Sequence, residues 1–319
     1  MGHEHHDHTH GANKRTLLIS FLVITVFMVV EVIGGLLTNS LALLADAGHM
    51  LSDSISLLIA LVAFTLGERA ANYGKTYGYK RFEVLAAVIN GATLLLVSLY
   101  IFYEAYHRLA DPPEVASTGM LIIAVFGLLV NIVVAFIMMR GGDTKGNLNM
   151  RAAYLHVLGD LLGSVGAILA ALLMIFFNWI WADAVASVLV AILILISGWR
   201  VTKASIHVLM EGTPNNVDLE NVVHVMKSVK GVESIHDLHV WSVTSGQNVL
   251  SCHITVDGQM TVEESQQLLR EIEHQLTHEN IGHVTIQVET AQNNQHEDSV
   301  LCQKEYEKEG HDHHHGHSH

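Results

Sequence analysis

Six long apolar stretches within the first 205 residues of this 319-residue chain constrain its fold more than any other feature. A helix that crosses the roughly 30 Å hydrocarbon core of a bilayer needs about 20 predominantly apolar residues. The stretches lie near residues 16–38, 42–67, 82–107, 117–140, 152–177 and 182–204. The sequence therefore predicts an α-helical membrane protein with six transmembrane helices, for which the lipid bilayer is the solvent.

The rest of the chain reads as a polar, acidic region. Residues 206–319 contain 5 Lys and Arg against 18 Asp and Glu, and this excess of negative charge argues against a nucleic-acid partner. Helical spacing of apolar residues at 218–229 and 262–276, with strand-like alternation at 232–244, 249–257 and 283–289, predicts a small αββαβ domain. The predicted segments are an N-terminal tail (1–15), the transmembrane domain (16–206), the αββαβ domain (207–291) and a disordered C-terminal tail (292–319).

The basic residues of the short loops predict the orientation of the chain. Eleven Lys and Arg lie in the segments on one side of the six stretches, and Arg108 alone lies on the other side. Cytoplasmic loops carry the excess of Lys and Arg. We therefore expect a multi-pass protein of the plasma membrane with both termini and the acidic domain in the cytoplasm.

Two pairs of ionisable residues interrupt the apolar stretches. His49 and Asp53 lie in the second stretch, and His156 and Asp160 lie in the fifth. Residues four apart share one face of a helix, so each pair directs two ligand groups to one place. Ionisable groups inside a membrane are costly and usually functional.

If the second and fifth helices face each other, these four groups form a set of two imidazoles and two carboxylates. Such a set suits a tetrahedral Zn²⁺, and four protein ligands leave no open position for the water of a catalytic site. The empty site would carry a charge of about −2 in a region of low dielectric constant, so it would take up protons that metal then displaces. The set therefore predicts transport of a divalent metal ion in exchange for protons.

Other polar residues in these stretches have less specific interpretations. A single HxxxD pair could be a hydrogen bond between helices, but two such pairs make that reading weaker. Asp46 is either an outer neighbour of the metal ligands or a charge near the start of its helix. The remaining polar residues are assigned to helix packing, and they are Glu31, Asn90, Glu104 and Asn131.

Histidine is concentrated at both ends of the chain, which carry 11 of its 23 histidines. His-rich tracts are typical of metal binding. The alternative, a purification tag, fits less well because these histidines alternate with other residues and occur at both ends. The two cysteines form no CxxC pair, so neither a disulfide framework nor a thiolate zinc site follows.

Histidines also occur on the predicted strands of the acidic domain. His236 and His239 would lie on opposite faces of a regular strand, so only a bulge could bring both to one site. The sequence leaves two interpretations open for the strand residues His236, His239, His253 and Glu289. They are either surface groups or the ligands of a metal site.

These features together resemble the cation diffusion facilitator family of zinc transporters, in particular its bacterial zinc, cadmium and cobalt efflux branch. The resemblance covers about residues 15–290. It is carried by SLALLADAGHMLSDSISLL (40–58), YGYKRFEVLAA (77–87), NLNMRAAYLHVLGDLLGSVGAI (147–168), WADAVAS (181–187) and HDLHVWSVT (236–244).

The resemblance implies a homodimer with metallochaperone-like cytosolic domains that bind metal, and export by proton antiport through alternating access. It places the transport ligands at His49, Asp53, His156 and Asp160. It also implies an ion pair between Arg81 and Glu211. By position, the ligands of the cytosolic site would be His236, His253 and Glu289, with His239 as a further candidate.

Three functions follow from these observations. The first is a secondary transporter that exports Zn²⁺, with Cd²⁺ and Co²⁺ as other substrates, because imidazole and carboxylate accept all of these metals. The alternative is a membrane-bound metal sensor or scaffold that acts through its acidic domain. A membrane metalloenzyme is disfavoured by the absence of HExxH in the sequence and by the fully coordinated site.

Overall fold

The structure, a computed structural model, describes residues 7–67, 72–140, 148–291 and 300–301. Side chains are described for these residues except 7–17, 60, 63–67, 135, 137–140 and 148–160. The chain divides into two compact units, with the division between Met210 and Glu211.

Long helices make up the described part of the first unit. They are α1 (Asp7–Thr38), α2 (Leu41–Gly67), α3 (Arg81–Ala110), α4 (Ser117–Arg140), α5 (Leu148–Phe177) and α6 (Ala182–Leu209). Among the described residues, five of them are long and apolar enough to cross a membrane, and α5 contributes the shorter apolar segment Leu161–Phe177. The predicted fold of membrane-length helices is confirmed. Helix α1 begins inside the predicted N-terminal tail, since polar residues can continue a helix whose backbone is hydrogen-bonded.

The outer surface of these helices is apolar. Leu36 and Leu37 on α1 are 67% and 80% exposed, and Phe176 on α5 is 74% exposed. A soluble protein rarely exposes so many large apolar side chains together. In a bilayer the same side chains contact lipid, so the exposed faces of the helices fit a membrane-embedded unit.

The contacts at one end of the bundle define the directions of α2 and α5. Helix α4 starts beside the end of α1, where the Ala116 amide donates to the Thr38 carbonyl at 2.9 Å. The Leu41 amide at the start of α2 donates to Asp183 at the start of α6, at 2.8 Å. Helix α5 ends at Phe177, shortly before α6, and therefore also arrives at this end. Because α2 leaves this end and α5 arrives at it, the two helices run antiparallel.

Two of the polar residues assigned to helix packing have described hydrogen bonds, one between helices and one within a helix. Asn90 on α3 donates to the hydroxyl of Ser52 on α2 at 3.1 Å. Glu104 accepts a hydrogen bond from Arg108 one turn later on α3, at 2.9 Å. Both interactions satisfy polar groups that apolar surroundings would otherwise penalise.

The second unit contains two helices and a three-stranded sheet. The elements are α7 (Leu219–Ser228), β1 (Ser234–Thr244), β2 (Gln247–Val256), α8 (Val262–His278) and β3 (Ile281–Thr290). Strand β2 lies in the centre of the sheet, antiparallel to β1 and parallel to β3. The predicted αββαβ order is confirmed.

The core of the second unit lies between the helices and one face of the sheet. Met226 on α7, Ile272 on α8 and Ile254 on β2 are fully buried in one apolar cluster. Residues that alternate with these strand positions therefore point to the opposite face. Helix α8 starts with a capping box between Thr261 and Glu264, and hydrogen bonds from the Thr261 backbone N–H and side chain lower the pKa of Glu264.

The C-terminal prediction needs a correction at Val300. The sequence predicts disorder throughout 292–319, but the Val300 carbonyl accepts a hydrogen bond from the Leu238 amide at 2.9 Å. The Val300 side chain also packs against the apolar core of the second unit. Leu238 lies within the register shift between His236 and His239 and has no partner on β2, so its amide is available to Val300, the apolar residue of a polar segment.

Candidate metal sites

Helix α2 carries the first pair of predicted transport ligands. Asp53 is buried, at 9% exposure, and His49 is partly buried. Both lie on an unbroken helix, so the four-residue spacing places them on one face. This face of α2 therefore presents an imidazole and a carboxylate within an otherwise apolar bundle.

The second pair, His156 and Asp160, lies on α5 with the same helical spacing. The side chains of these two residues lie outside the described ones. Helix α5 contacts α2 close by, since the Ser164 hydroxyl donates to the Asp46 carboxylate at 3.3 Å. A Cβ atom on Gly163 would lie 2.8 Å from an Asp46 oxygen, so the α5 backbone lies close to Asp46.

This contact defines the register between the two antiparallel helices. His49 lies three residues after Asp46 on α2, and Asp160 lies four residues before Ser164 on α5. At 1.5 Å per residue, both positions are about 5 Å further along the bundle from the contact. The backbone register therefore brings the two HxxxD segments to the same level.

Asp46 itself is buried at 2% exposure and faces α5. The two interpretations from sequence were an outer neighbour of the metal ligands and a charge near the start of the helix. Its burial disagrees with a charge exposed at the membrane surface.

The second unit brings three of the predicted residues together. His236, His253 and Glu289 each offer one ligand atom, and these atoms lie within 4.8 Å of one another. His236 Nε2 lies 3.3 Å from Glu289 Oε2, and His253 Nδ1 lies 3.0 Å from Glu289 Oε1. Two imidazoles and one carboxylate form a donor set that zinc accepts, with one coordination position left open.

The pairing of β1 with β2 contains a bulge, which the sequence neither predicted nor excluded. His236 pairs with His253 but His239 pairs with Ser251, so the register shifts between the two histidines. Asp237 lies at this shift with a φ of 52°, and it places His236 and His239 on the same face of the sheet. The side chain of His239 is nevertheless 50% exposed, and it contacts Asp237 at 3.2 Å rather than the three-residue group.

Asp237 is a residue that sequence reasoning missed. Its second oxygen lies 3.8 Å from His253 Nε2, so the carboxylate borders the three-residue group. The only sequence signal was its position between two histidines in HDLH. Nearby Cys252 is buried against the helices, and this burial together with the charge of Asp237 raises the pKa of its thiol to about 12. The thiol therefore stays protonated at neutral pH.

For the remaining predicted residues, the described part of the chain does not test the predicted roles. Arg81 begins α3 and Glu211 begins the second unit, and their ion pair stays a prediction. The histidine side chains of both tails lie outside the described residues.

Comparison with protein families matches nearly the whole chain outside its tails. The model of the cation efflux transmembrane domain matches residues 17–210. The model of the cation efflux protein cytoplasmic domain matches residues 214–291.

Curated relatives match over most of their own length. A cadmium, cobalt and zinc/H(+)-K(+) antiporter of Bacillus subtilis is 63% identical over 99% of this chain and 100% of the relative. The metal cation efflux system protein CzcD of Cupriavidus metallidurans is 43% identical, over 91% of both chains. The zinc transporter ZitB of Escherichia coli is 43% identical, over 89% of this chain and 92% of the relative.

Proposed function

The chain belongs to the cation efflux family, and from this premise we propose that it exports divalent transition-metal ions from the cytosol by antiport. The relative from Bacillus subtilis is named as an antiporter of cadmium, cobalt and zinc against H⁺ and K⁺, that from Cupriavidus metallidurans as a metal cation efflux protein and that from Escherichia coli as a zinc transporter. Zinc is the first substrate of this proposal, and cadmium and cobalt are further substrates. Imidazole and carboxylate ligands bind all three ions, so the donor set does not exclude any of them.

The transport site consists of His49, Asp53, His156 and Asp160. The observation that carries this proposal is the contact of α2 with α5 at Asp46 and Ser164, because it brings the two HxxxD segments level. Four protein ligands complete a tetrahedral shell, which favours carrying the ion over activating a bound water. Histidine and aspartate without thiolate should also release the ion more readily than a thiolate site.

The exchange with protons follows from the charge of the site. Two carboxylates bind Zn²⁺ with overall neutrality, but the empty site cannot keep both negative charges inside the bilayer. Protons that bind the ligands when metal leaves are displaced when metal returns. The excess of Lys and Arg in alternate loops supports a cytoplasmic position for both termini and the second unit, and with it export across the plasma membrane.

The second unit serves as a cytosolic metal site and dimerisation domain. Its donor set of His236, His253 and Glu289 lies on the sheet face opposite α7 and α8, with His236 buried and His253 and Glu289 partly exposed. Cytosolic zinc bound there would regulate a homodimer. The fully buried apolar core gives this set a rigid support.

Zinc flux in proteoliposomes tests the proposed function. We expect the purified protein to move Zn²⁺ when a pH gradient is imposed, with protons moving in the opposite direction. Flux is followed with a zinc-sensitive dye, and proton movement with a pH-sensitive dye. If the vesicles bind zinc but show no flux under any gradient, the alternative of a membrane metal sensor or scaffold replaces the transporter.

Replacement of His253 by Ala tests the cytosolic site. Because His253 supplies one of three ligand atoms, we expect zinc affinity at this site to fall at least about tenfold, or 1.4 kcal/mol. Zinc titration of the full-length protein with a competing chelator measures this change.

The matched control is His239→Ala, since His239 lies on the same strand and sheet face but outside the three-residue group. This control should bind zinc within twofold of wild type. Equal losses in both variants would contradict the assignment of the ligands.

A further inference from the structure

Helix α2 carries polar residues that continue the face of the proposed metal ligands. Ser52 lies three residues after His49, directly before Asp53, and Ser56 lies one turn after Ser52. Residues three and four apart are neighbours on the surface of a helix, so the two hydroxyls lie along the stripe that carries the ligands. Ser52 is buried at 7% exposure, whereas Ser56 is exposed. Asp53 therefore lies on a helical turn with a hydroxyl at each end.

Asn90 on α3 contacts this turn from the neighbouring helix. Its side chain is 3% exposed, and its Nδ2 lies 3.1 Å from Ser52 Oγ, 3.4 Å from Ser56 Oγ and 3.5 Å from the Ser52 carbonyl oxygen. The carbonyl oxygen can only accept a hydrogen bond, so the donor side of the amide faces α2. Hydrogen bonds weaken steeply with distance and angle, so this amide resists rotation of α2 about its axis.

Helix α6 holds α3 in place at the same level. The residue after Asn90 is Gly91, where a Cβ atom would lie 3.0 Å from the Thr202 backbone nitrogen and 3.2 Å from the Gly198 carbonyl oxygen. Small residues let two helix backbones approach in this way. Because no flexible side chain separates the two backbones, α3 has little freedom to shift here. Asn90 therefore extends from a rigid support towards the turn that carries Asp53.

From this geometry we infer that Asn90 is a positioning residue of the transport site, which sets the rotation of α2 and thereby the direction of the Asp53 carboxylate. The inference rests on the proposed transport site. In this role Asn90 acts through α2 rather than on the ion. Zn²⁺ requires its four ligands in tetrahedral directions, whereas the larger Cd²⁺ accepts longer and less regular coordination. Geometry decides selectivity among such ions, so a carboxylate held in one direction favours zinc over cadmium.

Full-length Asn90→Leu tests the inference. Leucine has nearly the same volume, and the serine hydroxyls can turn to carbonyls of their own helix, so the unfolding midpoint should stay within about 3 °C of wild type. In proteoliposomes the KM for zinc should rise about tenfold, as for loss of an outer partner of a metal ligand. The KM for cadmium should rise by no more than about twofold. A general loss of structure would change transport of both ions alike.

Two further variants identify the contact through which Asn90 acts. Ser52→Ala removes the nearest acceptor and should also raise the KM for zinc, by about threefold. In the double variant this KM should lie within about twofold of the value for Asn90→Leu, because two effects that act through one contact do not multiply. The matched control is Ser98→Ala, since the buried Ser98 hydroxyl bonds only within α3, to the Leu95 carbonyl at 2.9 Å. It should keep the wild-type KM for both ions.

Several results would contradict the role of Asn90. An unchanged KM for zinc in Asn90→Leu would overturn it, as would equal rises for zinc and cadmium or multiplied effects in the double variant. If Asn90→Leu does not fold, Ser52→Ala decides, since it must raise the KM for zinc and leave that for cadmium unchanged. A wild-type protein without zinc flux would instead overturn the proposed function, which distinguishes the two failures.

Discussion

Asp53→Asn should reduce zinc transport by about 100-fold or more, since loss of even an outer partner of a metal ligand costs 10–100-fold in affinity. Asp53 is buried on α2, and its carboxylate supplies both a ligand oxygen and half of the negative charge of the proposed site. The amide keeps the size of the side chain but neutralises that charge, so Zn²⁺ would remain buried with an uncompensated positive charge. Initial rates of zinc flux in proteoliposomes measure the loss.

The control for this variant is Ser54→Ala, one residue further along the same helix. The Ser54 hydroxyl bonds to that of Thr25 on α1 at 2.7 Å, so its removal perturbs helix packing without changing charge. We expect Ser54→Ala to transport zinc within a factor of two or three of wild type. If Asp53→Asn transported normally, or if both variants lost transport equally, the position of the transport site would be wrong.

Asp183→Ala should lower the free energy of unfolding of the transmembrane unit by roughly 3–5 kcal/mol, the cost of removing one partner of a buried charged network. The Asp183 carboxylate accepts hydrogen bonds from the Ser40 hydroxyl at 2.6 Å and from the backbone N–H groups of Leu41 and Ala42 at 2.8 and 3.2 Å. It thereby caps the first turn of α2 from another helix. The Arg108 guanidinium lies 3.9 Å away and would lose this counter-charge.

The expected shift is a fall of about 10 °C in the unfolding midpoint, measured by differential scanning fluorimetry in detergent. Asp183→Asn is the matched variant, because it keeps one acceptor oxygen for the cap but not the charge. We expect it to fall between wild type and Asp183→Ala. A midpoint for Asp183→Ala within 2 °C of wild type would show that water satisfies these donors instead. Transport should weaken along with stability, since the cap positions the helix that carries His49 and Asp53.

Local patterns were enough to predict most elements of this protein. A run of 20 apolar residues has few alternatives to a transmembrane helix, because an unpaired backbone is too costly in lipid. The alternation along 249–257 likewise predicted strand β2, which the structure places at Gln247–Val256. The pairs His49–Asp53 and His156–Asp160 were visible because a helix places residues four apart on one face.

The αββαβ domain contains two features that such local patterns do not predict. Strand alternation predicted that His236 and His239 separate, and it could not predict the bulge that Asp237 introduces, because a bulge depends on the partner strand. The contact of Val300 with Leu238 was also invisible, since the sequence predicts no helix or strand beyond residue 291. Leu238 and Val300 are far apart in the sequence, so only the folded domain brings them into contact.

The sequence by itself determined which segments cross the membrane, which segments form the αββαβ domain and which residues are chemically able to bind metal. The tertiary structure alone decided which polar groups meet. Glu31 reads as a packing residue in the sequence, and only the packing of α1 against α4 buries it completely beside Gly127. Asp183 caps a helix 141 to 143 residues away, a relation that no local period encodes. The physical reason is that helical and strand periods are set by the backbone of one segment, whereas partners across segments depend on how side chains of several helices pack together.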